Sequence, residues 1–353
     1  MRTEDFFFDL PEELVAQHPS ERRGESRLML LDRKTGAVAH SRVARLPDLI
    51  EPGSLMVFND SRVRKARIYG IALDTGARVE FLLLRRRGPA EWEAAATKLK
   101  KQRAGRAYAF PGDVRARVLG SGVAEMASEG EGPARPDTIL LSFDPPIDDD
   151  YLERAGHVPL PPYIRREDSP EDEERYQTVY SREIGSAACP TAGLHFTEDI
   201  LAALDERGVR RATVTLHVGL GTFLPVRSET IEGHAMHEEE YSVSEETSRA
   251  VMEAKAEGRP VLAVGTTSLR TLESAWVEEE GLKAGAGSTR IFIYPGYRFK
   301  AVDRLFTNFH TPKSTLLMLV SAFAGRESIF AAYEEAVRER YRFFSYGDAM
   351  LIK

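Results

Sequence analysis

The chain has 353 residues, of which 42% are hydrophobic, a net charge of −7 and a single cysteine, Cys189. That length supports more than one compact unit, and one cysteine excludes an internal disulfide and points to a reducing compartment. The start, MRTEDFFFDLPEEL, lacks an apolar secretory core. The longest apolar stretch, Ser314 to Gly325, is shorter than the ~18–20 residues of a spanning helix, so the expectation is a cytoplasmic protein without a membrane partner.

Residues 1–60 end in a strand-like run, Leu55-Met56-Val57-Phe58, leading into the polar turn Asn59-Asp60-Ser61. From 61 to 150 the pattern changes to short alternating runs, at 79–84, 114–118 and 139–143, with Gly and Pro between them, which predicts a small β-barrel. Glu125 to Pro136 is polar enough to be a hairpin tip. This zone is also basic: 61–117 holds 15 Lys or Arg against 5 Asp or Glu, so the rest of the chain carries −17. Its clusters are Arg62, Arg64, Lys65 and Arg67, then Arg85-Arg86-Arg87, then Lys98, Lys100, Lys101, Arg103 and Arg106. A basic segment on an acidic body suits phosphate contacts, although the same residues also suit solvated strand faces.

Beyond 151 strands and helices alternate. Thr197 caps a predicted helix to Arg207, a strand runs from Ala212 to Val218, and Ser244 opens a helix that stops near Gly258. A buried strand, 260–264, precedes a Gly-Thr-Thr turn and a helix from Ser268 to Val277. Ile291-Phe292-Ile293 reads as another strand, and helices near 314–324 and 327–341 close the chain. The expected fold is an α/β body, 1–60 plus 151–353, with an inserted basic β-barrel, 61–150.

Four clusters carry chemistry. Pro190-Thr191-Ala192-Gly193-Leu194-His195-Phe196-Thr197 places small residues and a histidine at a helix start, where free N–H groups suit an anion and an imidazole can carry protons; a capping loop with a structural histidine fits equally. Leu216-His217-Val218-Gly219-Leu220-Gly221-Thr222-Phe223 lacks the third glycine of a dinucleotide fingerprint, and its glycines suit close approach to a flat ligand. His234-Ala235-Met236-His237-Glu238-Glu239-Glu240 has two histidines three apart beside carboxylates but no complete zinc set, so no metal is expected. Val264-Gly265-Thr266-Thr267-Ser268-Leu269-Arg270 forms an anion cradle at a helix start and is not a phosphate-binding P-loop.

These runs, with Ser26-Arg27-Leu28, Val57 to Val63, Pro159 to Ile164, Arg175 to Tyr180, Tyr294-Pro295-Gly296, Thr307 to His310 and Phe343 to Leu351, resemble the S-adenosylmethionine:tRNA ribosyltransferase-isomerase family of queuosine biosynthesis. The likeness spans nearly the whole chain and is weakest from 85 to 150. Cys189 stands where the family usually has Ala, Lys65 where it has Pro, Arg290 where it has an acidic residue and Thr311 where it has Leu. The resemblance implies an α/β body with an inserted barrel. It also implies transfer and isomerisation of the ribosyl part of S-adenosylmethionine onto the aminomethyl group of a 7-deazaguanine in a tRNA anticodon. S-adenosylmethionine is then a consumed substrate; no cofactor and no obligate protein partner are expected.

That chemistry asks for proton carriers in a water-poor pocket and an anchor for the methionine carboxylate. His195 and His217 are the expected proton carriers, with His237 and His310 behind them, and Thr266, Thr267 and Arg270 hold an anion, either that carboxylate or an RNA phosphate. Asn59, Asp60, Arg62 and Arg67, at the join of the two zones, are expected to meet the anticodon base. Phe223, Phe309 or Tyr346 would stack, and Thr191, Gly193, Gly219, Gly221, Asn308 and Asp348 complete the substrate set. Arg85, Arg86, Arg87, Lys98, Lys100 and Lys101 are the expected RNA contacts. A metal-dependent hydrolase using His217, His234 and His237, and a non-catalytic RNA-binding protein, are the rival readings. A doubly wound methyltransferase is disfavoured by the missing glycine-rich turn.

Overall fold

In the computed structural model the described residues are 1–122, 138–219, 226 and 228–353. Expectations for Glu125 to Pro136, Gly221 and Phe223 therefore lie outside them. The body is a nine-stranded mixed sheet. At its centre four parallel strands lie side by side in the order Arg210–Leu216, Leu55–Asn59, Val261–Val264, Arg304–Asn308. Leu55–Asn59 is buried along its whole length, which is why it reads as an unbroken apolar run rather than an alternating one. Leu55 and Val57 join a core with Ala263, Leu269 and Leu272 on one face. Met56 and Phe58 join Leu201, Leu204, Val264 and Phe306 on the other. The strands Arg27–Leu31 and Val38–Arg42 return the N-terminal residues to this sheet beside the C-terminal strand Ala349–Ile352.

Six strands between Arg67 and Asp144 close into a barrel around Phe81, Trp92, Tyr108, Phe110 and Phe143. The barrel leaves the body after Ser61–Val63 and is tied back to it. Arg67 forms an isolated bridge with His157, and Arg85 Nη2 donates to the Glu238 carbonyl at 2.9 Å.

The helix starts follow their capping residues. Thr197 Oγ1 accepts from Ile200 N at 3.1 Å, Ser244 Oγ from Thr247 N at 3.0 Å and Ser314 Oγ from Leu317 N at 3.1 Å. Three expectations change. The Gly-Thr-Thr turn is itself the first turn of the helix, which runs Gly265–Ala275, because Ser268 Oγ bonds back to the Val264 carbonyl instead of capping. The strand expected at 291–293 is instead Gly285–Thr289, since the sheet edge Glu239–Val243 pairs there. The strand expected at 212–218 runs Arg210–Leu216, ending one residue before His217.

Candidate functional site

The four parallel strands all point their carboxyl ends the same way, and the connections after two neighbours diverge. From Leu55–Asn59 the chain returns through the helix Glu198–Glu206, packed on the face of Met56 and Phe58. From Val261–Val264 it passes through Gly265–Ala275, on the face of Val57 and Ala263. Neighbouring strands whose connections leave to opposite faces open a crevice at their carboxyl ends, the usual ligand position in open α/β sheets. The residues singled out in the sequence stand along this line: His217 and Gly219 after the first strand, Asn59 and Asp60 after the second, Thr266 and Thr267 after the third, Asn308 to His310 at the fourth. The Thr191–His195 turn closes over it, with Ala192 opposite Gly265.

His195 is buried, and its Nε2 lies 3.1 Å from Asn308 Nδ2. Asn308 Nδ2 also donates to the Phe344 carbonyl at 3.0 Å. A carbonyl only accepts, so this contact fixes the orientation of the Asn308 amide. The second amide hydrogen then points at His195 Nε2, which must carry a lone pair, leaving the proton on Nδ1. Burial lowers the His195 pKa to about 4, with Arg23 and Arg342 adding in the same direction. The imidazole is therefore neutral at pH 7. Asn308 Oδ1 is buried and accepts from no donor among the described residues.

Gly193 is required by close approach. A Cβ there would stand 2.0 Å from Tyr180 Oη, so any side chain would push the His195 turn off its seat.

At the other end Arg270, 6% exposed, is paired through Nη1 with Glu239, while its Nε and Nη2 have no partner among the described residues. Glu239 also accepts from Gly219 N at 3.2 Å. Thr267 Oγ1 is a further buried group without a partner among the described residues. Buried unmet donors are uncommon in a folded protein and mark places where a ligand would complete the bonding. Thr266, also buried, stands beside them at the helix start, and Thr191 is half-buried on the turn opposite.

Several other residues are engaged structurally. Asn59, fully buried, holds the backbone of Leu216 from both sides and Ser61 N, which leaves it no room to meet an anticodon base. Asp60 accepts from Thr215 Oγ1 at 2.7 Å and from Arg182 Nη2 at 2.7 Å. Arg67 is committed to the Leu160 carbonyl and to Glu80, whereas Arg62 is exposed. Asp348 accepts from the backbone of Arg27 and Arg342, each at 2.8 Å. Phe309 is sealed among Tyr333, Tyr341 and Phe343 and cannot stack on a ligand. Tyr346 is buried with its hydroxyl on Asp172, which likewise removes it as a stacking platform.

The remaining histidines separate. His310 is buried, bonded through Nε2 to Thr307 Oγ1, and burial lowers its pKa to about 3. His217 lines a groove of about 1310 Å³ with Asp60, Arg182, Thr213 and Thr215, and its pKa is lowered chiefly by burial. His234 packs edge-on against Phe292, and burial and then His237 lower its pKa. Among the described residues no three His, Cys, Asp or Glu side chains converge on a metal position, so the hydrolase reading of His217, His234 and His237 has no geometry behind it.

The basic segment divides. Arg85 bonds Glu238 O and approaches Glu240, Arg86 bonds the carbonyls of Gly88 and Pro89, and Arg87 pairs with Glu93. Lys98, Lys100, Lys101 and Arg103 are exposed, the last three around a 720 Å³ hollow on the barrel. Sequence reasoning read Glu239 only as one of the carboxylates beside His234 and His237 and missed its pairing with Arg270, and it missed Tyr180, signalled by the small residue it requires at 193.

A sequence profile for the family described as "Queuosine biosynthesis protein" matches residues 3–352. The chain is 51% identical, over the full length of both, to the S-adenosylmethionine:tRNA ribosyltransferase-isomerase of Treponema denticola. It is 52% identical to that of Anaeromyxobacter sp., over 100% of this chain and 99% of the relative. It is also similar to a crystal structure titled as the S-adenosylmethionine tRNA ribosyltransferase of Thermotoga maritima, with 37% identity, a TM-score of 0.55 and coverage of 99% and 100%.

Proposed function

From the premise that the chain belongs to the queuosine biosynthesis protein family, we propose that its strand-end crevice catalyses the S-adenosylmethionine:tRNA ribosyltransferase-isomerase reaction. It moves the ribosyl moiety of S-adenosylmethionine onto the aminomethyl group of 7-aminomethyl-7-deazaguanine in a tRNA anticodon. Adenine and methionine leave, and an epoxyqueuosine nucleotide remains. The observation that carries the site assignment is the crevice itself, with a neutral histidine at one end and a buried, half-paired arginine at the other.

The sulfonium acidifies the adjoining ribose carbon, so a modest base suffices to remove a proton there, and the departing adenine needs a proton in return. The neutral imidazole of His195 serves that exchange as a relay, taking the ribose proton at Nε2 in place of the Asn308 N–H bond and giving its Nδ1 proton to the departing adenine. The half-buried His217, beyond the end of Arg210–Leu216 and three strand intervals from Arg304–Asn308, is the second carrier in this reading. Incubation with S-adenosylmethionine and precursor-bearing tRNA should release adenine and methionine together, with or without a chelator. Release of neither product, or activity that disappears on chelation and returns with one divalent ion, would overturn this reading.

The exposed cations Lys98, Lys100, Lys101 and Arg103 are the phosphate contacts in this reading. Reversing all four to Glu should weaken tRNA binding steeply, flatten its dependence on salt and leave S-adenosylmethionine binding unchanged. They are the better test than Arg85, Arg86 and Arg87, whose replacement would also break the barrel's own contacts. An unchanged tRNA affinity would reduce the patch to a solvated surface.

A further inference from the structure

Resting on that activity, we infer that the two ends of the crevice divide S-adenosylmethionine between them. Arg270 and Thr267 take its methionine carboxylate, and Asn308 with His195 takes an edge of its adenine.

The free groups at each end define their ligand. On Arg270 the pair left open is Nε and Nη2, one planar edge of the guanidinium, while Nη1 is spent on Glu239. Two parallel N–H groups on that edge match the two oxygens of a carboxylate. Glu239 and Arg270 are both buried, so the open guanidinium edge is reached by a small carboxylate and not by a phosphate on a polymer. Thr267 Oγ1 adds a hydroxyl donor at the helix start, where the dipole favours negative charge.

The opposite end is built for a neutral edge with mixed polarity. Asn308 offers a bare carbonyl oxygen, because both of its amide hydrogens are committed to Phe344 O and His195 Nε2. His195 offers the Nδ1 hydrogen. The Asn308 acceptor suits the exocyclic amine of adenine, and the His195 Nδ1 hydrogen, which leaves the ring on the side away from the 3.1 Å contact, is a separate donor.

The spacing agrees. From the end of Arg210–Leu216, where Gly219 and Glu239 hold Arg270, to the end of Arg304–Asn308 is three strand intervals. At roughly 4.8 Å each this is about 14 Å, the reach of an extended nucleoside joined to an amino acid. The ribose and sulfonium then fall between, over the ends of Leu55–Asn59 and Val261–Val264, next to Ser61–Val63 from which the barrel departs.

The test is ligand against residue, by calorimetry with tRNA that lacks the precursor base present so that nothing turns over. The wild type should bind decarboxylated S-adenosylmethionine, which lacks the carboxylate, and S-inosylmethionine, in which an oxo group replaces the adenine amine, each about 10–100-fold more weakly than S-adenosylmethionine. Arg270→Ala should abolish the first preference and keep the second, and Asn308→Ala should do the reverse. Asn308→Ser, which removes the amide carbonyl but keeps a small polar side chain, should likewise lose the second preference and serves if the alanine variant does not fold. Equal binding of all three ligands by the wild type, or preferences that survive both substitutions, overturns the inference while leaving the activity standing. Loss of tRNA affinity in Arg270→Ala with S-adenosylmethionine affinity intact would make the arginine a phosphate site and also overturn it. Failure of the wild type to bind S-adenosylmethionine at all would instead remove the proposed activity.

Discussion

Replacing His195 by alanine should lower the rate of adenine release by about 10²–10⁴-fold, the usual contribution of a positioned proton carrier. The substitution also removes the acceptor for an Asn308 N–H in a buried site and the edge contact of the imidazole with Phe306, so a lower melting temperature accompanies the lost rate. Turnover per folded molecule, measured beside thermal melting, separates the two effects. Retention of full turnover in the folded fraction would make His195 a packing residue and move the proton carrier to His217, since His310 is closed off by Thr307 and the surrounding core. The pH profile gives an independent reading. Because burial lowers the His195 pKa to about 4, its limb should lie well below the ordinary histidine value of about 6.5. Stability should fall over the same window as pH drops from about 6.5 towards 4, because the unfolded chain takes up a proton that the native imidazole refuses.

Asp172→Ala should be the most destabilising single change outside the crevice, by about 3–5 kcal/mol, the cost of breaking a buried ion pair from one side. Its carboxylate receives Arg166 Nη1 at 2.6 Å and Nη2 at 2.8 Å, Tyr346 Oη at 2.6 Å, and Ser169 N at 2.8 Å. Desolvation by itself would raise the Asp172 pKa, but the bonds from Arg166, Tyr346 and Ser169 outweigh it and hold the group well below the usual carboxylate range. The stability it contributes is fully present above the unfolded value near 4 and is lost only as pH falls through the depressed native one. Denaturant titration of the variant checks this: a change below about 1 kcal/mol would show that the site relaxes around the loss. The network ties the helix Pro170–Arg175 to the C-terminal segment, which explains why Tyr346 belongs with the active region without facing a ligand.

The crevice was only partly legible beforehand. His195, Asn308, Thr267 and Arg270 stood out because small residues, hydroxyls and charged groups at the ends of strand-like runs have few purely structural uses. Asp60, Asp348 and Tyr346 stood out for the same reason, yet the fold spends them on backbone and ion-pair bonds. Residue type and spacing do not say whether a polar group's partner is protein or ligand, because that partner is usually hundreds of residues away. Asp348 meets Arg27, for example, and His195 meets Asn308.

By itself the sequence determined the local and compositional features: the α/β body, the barrel signalled by short alternating runs, the capped helix starts and the surplus of basic charge between 61 and 117. These follow from side-chain periodicity and from contacts within a few residues. Only the tertiary structure decided which charges remain available. It gave Arg85, Arg86 and Arg87 carbonyl or carboxylate partners, Arg86 and Arg87 remaining exposed, and left Lys98, Lys100, Lys101 and Arg103 at the surface. It also decided that Glu239 would meet Arg270, and that the Asn308 amide would be held by Phe344 so that the His195 proton resides on Nδ1. Those outcomes rest on sheet order, which places Arg210–Leu216, Leu55–Asn59, Val261–Val264 and Arg304–Asn308 side by side although they are far apart in the chain. Hydrogen-bond geometry between such distant segments exists only once the core has packed.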